Sequence, residues 1–165
     1  MDEPVNIFRI LRNALDKYPD KVFMQIKEDK PYTKYTYKQT YSMALSLGNS
    51  LSNKIKKGNK VAILSENRPE WLVSYLAISY LGAVAVPLDT NIDEIRLLMF
   101  LKDSGAKIIF ASKRFEQKII KIKHKLKSLI SLCFDNDNFK KLLKNKYNKK
   151  LINRDAKLDD TASLI

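Results

Sequence analysis

The stretch from residue 59 to residue 89 reads NKVAILSENRPEWLVSYLAISYLGAVAVPLD. Its residues 61–64 form a continuous apolar run, which is typical of a strand buried on both faces of a parallel sheet. The pattern then predicts a helix over residues 69–81, a turn at Gly82 and a short strand over residues 83–86. Two buried strands joined by one helix make a β-α-β unit, so this stretch predicts an α/β fold with a right-handed crossover.

The same alternation of helices and strands extends in both directions from this unit. Residues 1–58 predict an N-terminal helix, two short strands and a second helix, and residues 59–134 predict a run of β-α-β repeats. Outside the opening stretch, helices are predicted over residues 4–18, 37–57, 92–104, 113–127 and 138–146, and strands over residues 21–27, 32–36, 107–111 and 129–134.

The whole sequence, residues 1–165, is expected to form a single partial domain of the α/β class with a mostly parallel sheet and flanking helices. Residues 135–158 are polar and lysine-rich, which predicts a basic variable loop with a short helix. Residues 159–165 return to an apolar pattern and predict the start of a further strand. Because a domain seldom finishes inside an apolar strand, we expect that strand to lead into more sequence.

Three helix ends are predicted from local patterns. Thr36 and Gln39 have the spacing of a capping box, and so do Asn91 and Glu94. The segment 56–58 (KKG) places cations and then a glycine where a helix C-terminus favours them, so the second helix is predicted to end there. One apolar face of the helix after Asn91 is predicted to consist of Ile95, Leu98 and Met99.

The net charge of +13 is concentrated in one part of the chain. Residues 113–157 hold 15 Lys or Arg against 4 Asp or Glu. Such a tract fits a solvated lysine face, an anionic membrane surface or a nucleic-acid site. Nucleic-acid sites favour arginine forks with interleaved aromatics, whereas this tract has only two arginines, Arg114 and Arg154. We therefore expect no nucleic-acid partner; a solvated face is favoured, with weak peripheral association with an anionic membrane as the alternative.

The sequence predicts a cytoplasmic protein. Residues 71–88 carry no charge over 18 positions, which reaches the lower limit for a membrane span, but Gly82 and Pro87 fit a helix, a turn and a strand better. Residues 1–3 are acidic where a secretory signal would be basic. Cys133 is the only cysteine, so no intrachain disulfide is available and a reducing compartment is expected.

Four stretches in chain order resemble the adenylate-forming (AMP-binding) enzymes, and in particular the acyl-CoA synthetases or long-chain fatty-acid–CoA ligases. They are residues 35–40 (YTYKQT), similar to the first core motif of the family, 61–71 (VAILSENRPEW), similar to fatty acyl-CoA synthetases, 81–89 (LGAVAVPLD), similar to the second core motif, and 94–96 (EIR) with 101–110 (LKDSGAKIIF). The resemblance covers residues 4–112 and resumes at 159–165, whereas residues 113–158 match no family pattern. By this resemblance the chain is the N-terminal part of such an enzyme.

The resemblance implies a two-step ligase reaction for the full-length parent. A carboxylic acid attacks the α-phosphate of ATP to give an acyl-adenylate and pyrophosphate, and coenzyme A then displaces AMP. ATP, Mg and coenzyme A are thus the implied cofactors of the parent, and a fatty acid is the implied substrate. In the family a Ser/Thr/Gly-rich phosphate loop follows the strand that residues 161–165 begin. We therefore expect this chain to stop before that loop and to be catalytically inactive alone.

The residues themselves offer no catalytic set. The four glycines, Gly48, Gly58, Gly82 and Gly105, are isolated, so no glycine-rich loop is present to hold phosphate through backbone amides. No cluster of histidine and cysteine supports a metal site. We therefore assign no catalytic, cofactor-binding or metal-binding residue, and expect the chain alone to bind no cofactor.

Single polar residues have simpler explanations than catalysis. His124 is expected to be solvated in a lysine-rich helix, and Cys133 to be an inert core residue. Asp89 and Asp93 flank a helix start, where capping explains them. Residues 65–68 (SENR) follow a buried strand, where open α/β sheets often bind ligands, although loop and helix-cap roles are favoured.

Three functional hypotheses follow from these observations. The first is the N-terminal part of an acyl-CoA synthetase. The second is a stand-alone α/β docking module that complements a separately encoded C-terminal polypeptide. The third is a basic peripheral membrane protein.

Overall fold

The computed structural model describes residues 7–27, 31–145 and 160–165. Residues 4–6 of the first predicted helix and residues 146–158 of the predicted basic loop lie outside these ranges. The helices are α1 (Ile7–Lys17), α2 (Tyr37–Leu51), α3 (Pro69–Tyr80), α4 (Glu94–Ser104), α5 (Glu116–Lys123) and α6 (Asp137–Lys144). The strands are β1 (Val22–Ile26), β2 (Thr33–Thr36), β3 (Lys60–Leu64), β4 (Val84–Pro87), β5 (Ile108–Ala111) and β6 (Ile130–Cys133).

Four of these strands form a parallel sheet in the order β4-β3-β5-β6, while β1 and β2 form a separate antiparallel hairpin. A further segment joins the outer edge of β4, where Ser163 pairs with Ala85 in the parallel direction. The Ala85 amide donates to the carbonyl of Ala162 at 3.0 Å, and the Leu164 amide donates to the carbonyl of Ala85 at 2.9 Å. The predicted α/β class with a mostly parallel sheet and flanking helices is confirmed.

Helices cover both faces of the parallel sheet. On one face, α1, α2, α3 and α6 pack around alternate strand residues such as Ile63 and Phe110. On the other face, α4 and α5 pack around the intervening residues, such as Leu64 and Ile109. Because successive side chains of a strand point to opposite faces, both sets must be apolar, and this explains the continuous apolar run at residues 61–64.

The capping box at the start of α2 is confirmed, since the Gln39 amide donates to the Thr36 hydroxyl and the Thr36 amide to the Gln39 side chain. The predicted end of α2 at residues 56–58 is wrong, because the helix ends at Leu51. The chain turns there, and the amides of Lys54 and Ile55 both donate to the Leu51 carbonyl, at 2.9 and 2.8 Å. This turn buries Ile55. Burial of this side chain therefore outweighs the signal for a helix C-terminus at residues 56–58.

The start of α4 also differs from the prediction. The N-cap is Asp93, whose Oδ1 accepts the Arg96 amide at 2.8 Å, so the proposed capping box of Asn91 and Glu94 is wrong. Leu97 and Leu101 face the core, whereas Ile95 and Met99 are exposed and Leu98 is half-buried. The prediction of one apolar face formed by Ile95, Leu98 and Met99 is therefore wrong. The buried side of α4 is rotated away from it.

The helix after β5 is shorter than predicted. The basic helix predicted over residues 113–127 is a 3-10 turn, Lys113–Phe115, followed by the shorter α5.

Gly82, between α3 and β4, has a φ of 63°, as expected of a glycine that ends a helix. Residues 71–88 form most of α3, this turn and β4. Among the described residues, no helix is long and apolar enough to cross a bilayer.

Candidate functional site

The carboxyl ends of β3, β5 and β6 bring five polar side chains to one edge of the parallel sheet. Glu66 follows β3, Ser112 follows β5 directly, and Asp135 lies two residues after β6. Arg68 and Glu70 lie at the start of α3, which continues from β3. We call this group the carboxyl-edge cluster; its members are Glu66, Arg68, Glu70, Ser112 and Asp135. Ligands of open α/β sheets bind most often at this edge.

Arg68 is the centre of the cluster. Its Nε donates to Glu70 Oε2 at 2.7 Å, and its Nη1 donates to both carboxylate oxygens of Asp135 at 3.0 and 3.2 Å. Glu66 Oε1 lies 3.6 Å from the same Nη1. The guanidinium stands over the Phe134 ring at 5.6 Å, and the Arg68 side chain is 18% exposed. Arg68 thus ties the first turn of α3 to the end of β6.

Two further hydrogen bonds close the cluster across the strand ends. The Ser112 hydroxyl donates to Glu66 Oε2 at 2.6 Å, which links the segments that follow β5 and β3. The backbone amide of Lys113 donates to Asp135 Oδ2 at 2.7 Å, which links the segments that follow β5 and β6. The ends of three adjacent strands are therefore held together by side chains as well as by the sheet.

The electrostatics of the cluster favour its charged form. Burial alone would lower the pKa of the Arg68 guanidinium, but the hydrogen bonds that it donates to Glu70 and Asp135 outweigh burial and raise that pKa. Burial alone would raise the pKa of Asp135, but the Lys113 amide and Arg68 outweigh it and lower that pKa. Three carboxylates therefore surround one guanidinium, whose Nε and Nη1 are already engaged. The arrangement suits a brace between strands better than a phosphate clamp.

Two cavities adjoin this edge of the sheet. One of about 330 Å³ lies beside Arg68, between the β1–β2 hairpin and the start of α3, and includes Gln25, Asn67 and Trp71 in its wall. The other, of about 230 Å³, lies between α5 and β6 and includes Cys133 and Lys123. Both combine apolar side chains with a few polar groups. The volume of the smaller cavity is below the range typical of small-molecule sites, and that of the larger is at the lower end of the range.

Cys133 differs in part from its prediction as an inert core residue. It is half-buried in the wall of the smaller cavity, and its Sγ lies 3.9 Å from Asp135 Oδ2. Burial raises the pKa of the thiol, so the neutral, weakly nucleophilic form is favoured at neutral pH.

The other residues considered from sequence lie away from the carboxyl-edge cluster. Asp93 caps α4, as predicted. Asp89 does not cap the helix; its Oδ1 accepts the Asn91 amide at 2.8 Å in the turn before it. His124 is exposed at the end of α5, as predicted for a solvated residue. Within the described ranges, no group of histidine, cysteine, aspartate or glutamate is arranged to hold a metal ion.

Sequence reasoning located residues 65–68 but missed the partners they meet. Asp135 and Ser112 come from segments 67 and 44 positions further along the chain than Arg68, and nothing in their local sequence marks them. Their only signal is position, because each closely follows a buried strand of the predicted parallel sheet. Had the strand order been known, this rule would have identified both.

The fold and the cluster define an α/β protein whose candidate site lies at the carboxyl edge of a parallel sheet. The family model for the AMP-binding enzyme matches residues 11–165, so the chain belongs to the AMP-binding enzyme family. The predicted membership in the adenylate-forming enzymes is therefore confirmed.

Several curated proteins to which this chain is similar are, by their names, CoA ligases. The chain is 33% identical over 105 residues to the 2-succinylbenzoate–CoA ligase of Bacillus cereus, a match that covers 63% of this chain and 21% of that protein. It is 28% identical over 80 residues to 4-hydroxybutyrate–CoA ligase 2 of Metallosphaera sedula, with 48% and 15% covered. The chain thus spans about a fifth or less of the length of these relatives.

Solved structures show the same fold over nearly the whole chain. The anthranilate CoA ligase AuaEII, in complex with anthranoyl-AMP, superposes with a TM-score of 0.83 at 20% identity and covers 99% of this chain and 31% of its own. The N-terminal domain of FACL13 from Mycobacterium tuberculosis gives a TM-score of 0.79 at 24% identity, with 96% and 41% covered.

Proposed function

We propose that the whole protein carrying this chain is an ATP-dependent acid–CoA ligase. It would activate a carboxylate as the acyl-adenylate and then transfer the acyl group to the thiol of coenzyme A. The observation that carries the proposal is the family match over residues 11–165, and the CoA ligases among the curated relatives support it. ATP, Mg²⁺ and coenzyme A would be the cofactors of this reaction, and a reducing cytoplasm its compartment.

A fatty acid is the substrate that we propose for this ligase. Its support is the stretch 61–71, VAILSENRPEW, which is similar to the corresponding stretch of fatty acyl-CoA synthetases. The relatives named above act, by their names, on 2-succinylbenzoate and 4-hydroxybutyrate. The substrate therefore has to be measured against these competing acids.

Within that function, residues 1–165 would serve as scaffold. The four glycines of the sequence are isolated, so no glycine-rich stretch is present to surround phosphate with backbone amides. Arg68, the cation of the carboxyl-edge cluster, has its Nε engaged by Glu70 and its Nη1 engaged by Asp135. We infer that the groups contacting ATP are supplied by other residues of the whole protein, and that the carboxyl-edge cluster fixes the strand ends beneath them.

The test measures acid-dependent ATP–pyrophosphate exchange and thioester formation by the whole polypeptide that carries residues 1–165. The acids are decanoate, palmitate, 4-coumarate, 2-succinylbenzoate and 4-hydroxybutyrate, and the 165-residue chain is the matched control. We expect exchange by the whole protein, the highest kcat/KM with a fatty acid, and none by the chain alone. A preference for another acid overturns the fatty-acid assignment, and absence of exchange with every acid overturns the ligase assignment.

A further inference from the structure

Helix α4 exposes three large apolar side chains that its packing does not use. Ile95 is 74% exposed, Met99 55% and Phe100 51%. Ile95 and Met99 are four residues apart and therefore adjacent on the helix surface, and Phe100 follows directly. Their exposure is a consequence of the helix orientation, because Leu97 and Leu101 occupy the side that faces the sheet.

A lysine-rich helix lies beside this apolar stripe. Helices α4 and α5 pack on the same face of the parallel sheet. Lys121 Nζ of α5 lies 2.8 Å from Glu94 Oε1 at the start of α4, and Lys118 Nζ donates to the carbonyl of Ile92. These contacts place α5 against the N-terminal half of α4. We call the combined face the α4–α5 surface; it comprises Ile95, Met99, Phe100, Lys102, Lys118, Lys121 and Lys125.

The charge of this surface is strongly positive. Residues 92–127 hold ten Lys or Arg against four Asp or Glu. Two of the four acids are engaged locally: Glu94 is paired with Lys121, while Asp93 caps α4 and lies 3.5 Å from Arg96. The unpaired excess is therefore basic, and eight of the ten cations are lysines.

We propose that the α4–α5 surface docks on an anionic lipid bilayer. The three apolar side chains would enter the boundary between headgroups and acyl chains, while the lysines meet anionic headgroups; this combination is what interfacial helices use. Each lysine near such a surface contributes about a fivefold gain in partitioning. A nucleic acid is the poorer fit, because only Arg96 and Arg114 offer guanidinium forks and Phe100 is the one exposed ring on these two helices.

Helix α1 provides a matched control within the same chain. Ile7 and Ile10 are also exposed, at 42% and 57%. However, α1 packs on α2 and α3 through Phe8 and Leu11, and these helices lie on the opposite side of the sheet from α4 and α5. A bilayer that contacts the α4–α5 surface therefore does not contact α1.

The experiment measures partitioning of the 165-residue chain onto vesicles by co-sedimentation. Vesicles of phosphatidylcholine alone are compared with vesicles that also contain about 30% phosphatidylglycerol, at about 0.15 M salt. The unaltered chain is expected to bind the anionic vesicles selectively. The variant Ile95→Ser/Met99→Ser/Phe100→Ser should lower the partition coefficient about tenfold or more, whereas Ile7→Ser/Ile10→Ser should leave it unchanged.

Two charge variants distinguish binding through the α4–α5 surface from binding through the overall positive charge of the chain. Lys102→Gln/Lys121→Gln/Lys125→Gln is expected to lower partitioning about a hundredfold, since three fivefold contributions are lost. An equal loss of charge on the other side of the sheet, Lys34→Gln/Lys38→Gln/Lys54→Gln, is expected to change it less than about threefold. Far-UV circular dichroism and thermal unfolding verify that each variant is folded. Apart from the control residues Lys34, Lys38 and Lys54, every altered residue belongs to α1 or to the α4–α5 surface.

Several outcomes overturn the proposal. The apolar triple variant that binds as well as the unaltered chain shows that insertion of α4 does not occur. Equal losses in the two lysine variants show that net charge alone drives binding. No binding to anionic vesicles, together with salt-resistant binding of a single-stranded oligonucleotide, assigns the surface to nucleic acid instead. None of these results bears on the ligase assignment, because no ATP or acid is involved.

Discussion

Arg68 is the residue whose removal should disturb this structure most through charge. It is the one cation in the carboxyl-edge cluster, and it contacts carboxylates of Glu70 and Asp135 that are themselves half-buried. Removing one partner of such a group leaves the other charges desolvated and uncompensated, which costs more than the intact pair contributes. Arg68 therefore joins α3 to the end of β6 and compensates the charges of both carboxylates.

We expect Arg68→Met to lower the free energy of unfolding by about 2 kcal/mol, a value reduced from that of a fully buried pair because the cluster is partly exposed. Urea unfolding of the chain measures the change. Arg96→Met is the control, since Arg96 is 75% exposed and lies 3.5 Å from a single carboxylate. Its expected effect is below about 0.5 kcal/mol. Equal effects of the two substitutions would contradict the bracing role.

The same cluster predicts acid sensitivity through Asp135. The pKa of this carboxyl is lower in the folded chain than its usual value of 3.8, because the Lys113 amide and Arg68 outweigh its burial. A carboxyl group whose pKa is lower in the folded chain than in the unfolded chain stabilises the fold at pH values above its pKa in the unfolded chain. That stabilisation is lost as the pH falls through its pKa in the folded chain. We expect Asp135→Asn to be less stable than the unaltered chain at pH 7 and the two to converge below about pH 4. Chemical unfolding across this range tests it; a difference that stays constant with pH would exclude the linkage.

At the scale of single elements, α2 and α3 approach closely at Gly48. A Cβ built on Gly48 would lie 2.5 Å from Cδ1 of Tyr80, and the Tyr80 ring is held in place by the Phe8 ring at 4.9 Å. The absence of a side chain at Gly48 is therefore a packing requirement between two helices. A need for backbone flexibility in a loop does not explain the glycine, since Gly48 lies inside α2.

We expect Gly48→Ala to destabilise the chain by roughly 2 kcal/mol through overpacking, despite the better helix propensity of alanine. Gly105→Ala is the control: no atom lies within 4 Å of its added Cβ, so only the cost of a φ of 64° applies, about 1 kcal/mol. Thermal unfolding compares the two. In a double-mutant cycle, Tyr80→Leu should relieve most of the Gly48→Ala penalty; additive effects would show that the ring is not the obstacle.

The sequence predicted several elements whose signals are local, although the equally local capping box of Asn91 and Glu94 was wrong. The buried strand at residues 61–64 and the capping box at Thr36 were assigned correctly, because an apolar run and a cap need no distant partner. The end of α2 and the buried face of α4 were not, since burial of Ile55 and of Leu97 depends on the packing of the whole layer. The carboxyl-edge cluster was predicted only at residues 65–68, for the same reason: its other half comes from strands that are neighbours in space alone.

At the scale of the whole molecule, the chain combines many lysines with four isolated glycines and no glycine-rich stretch to surround phosphate. We predict that the isolated 165-residue chain shows no specific binding of ATP or AMP. Weak attraction to the lysines should disappear at moderate salt, because exposed charges are screened within about 8 Å at physiological ionic strength. Calorimetry with and without Mg²⁺ measures this. Saturable, micromolar, magnesium-dependent binding of ATP would show that residues 1–165 contain a nucleotide site.

The pairing of Ser163 with Ala85 has a consequence for the order in which the protein is synthesised and folds. Strands β3 to β6 all lie between residues 60 and 133, so this part of the sheet has its strands before the ribosome reaches residue 162. The outer edge of β4 must wait, since its neighbour comes 78 positions after Ala85. Closing so long a loop costs little more than closing one of half the length, about 0.6 kcal/mol, so the delay is set by translation at roughly 5–20 residues per second. For those seconds the nascent chain presents an open strand edge, which is when a chaperone would have reason to bind it.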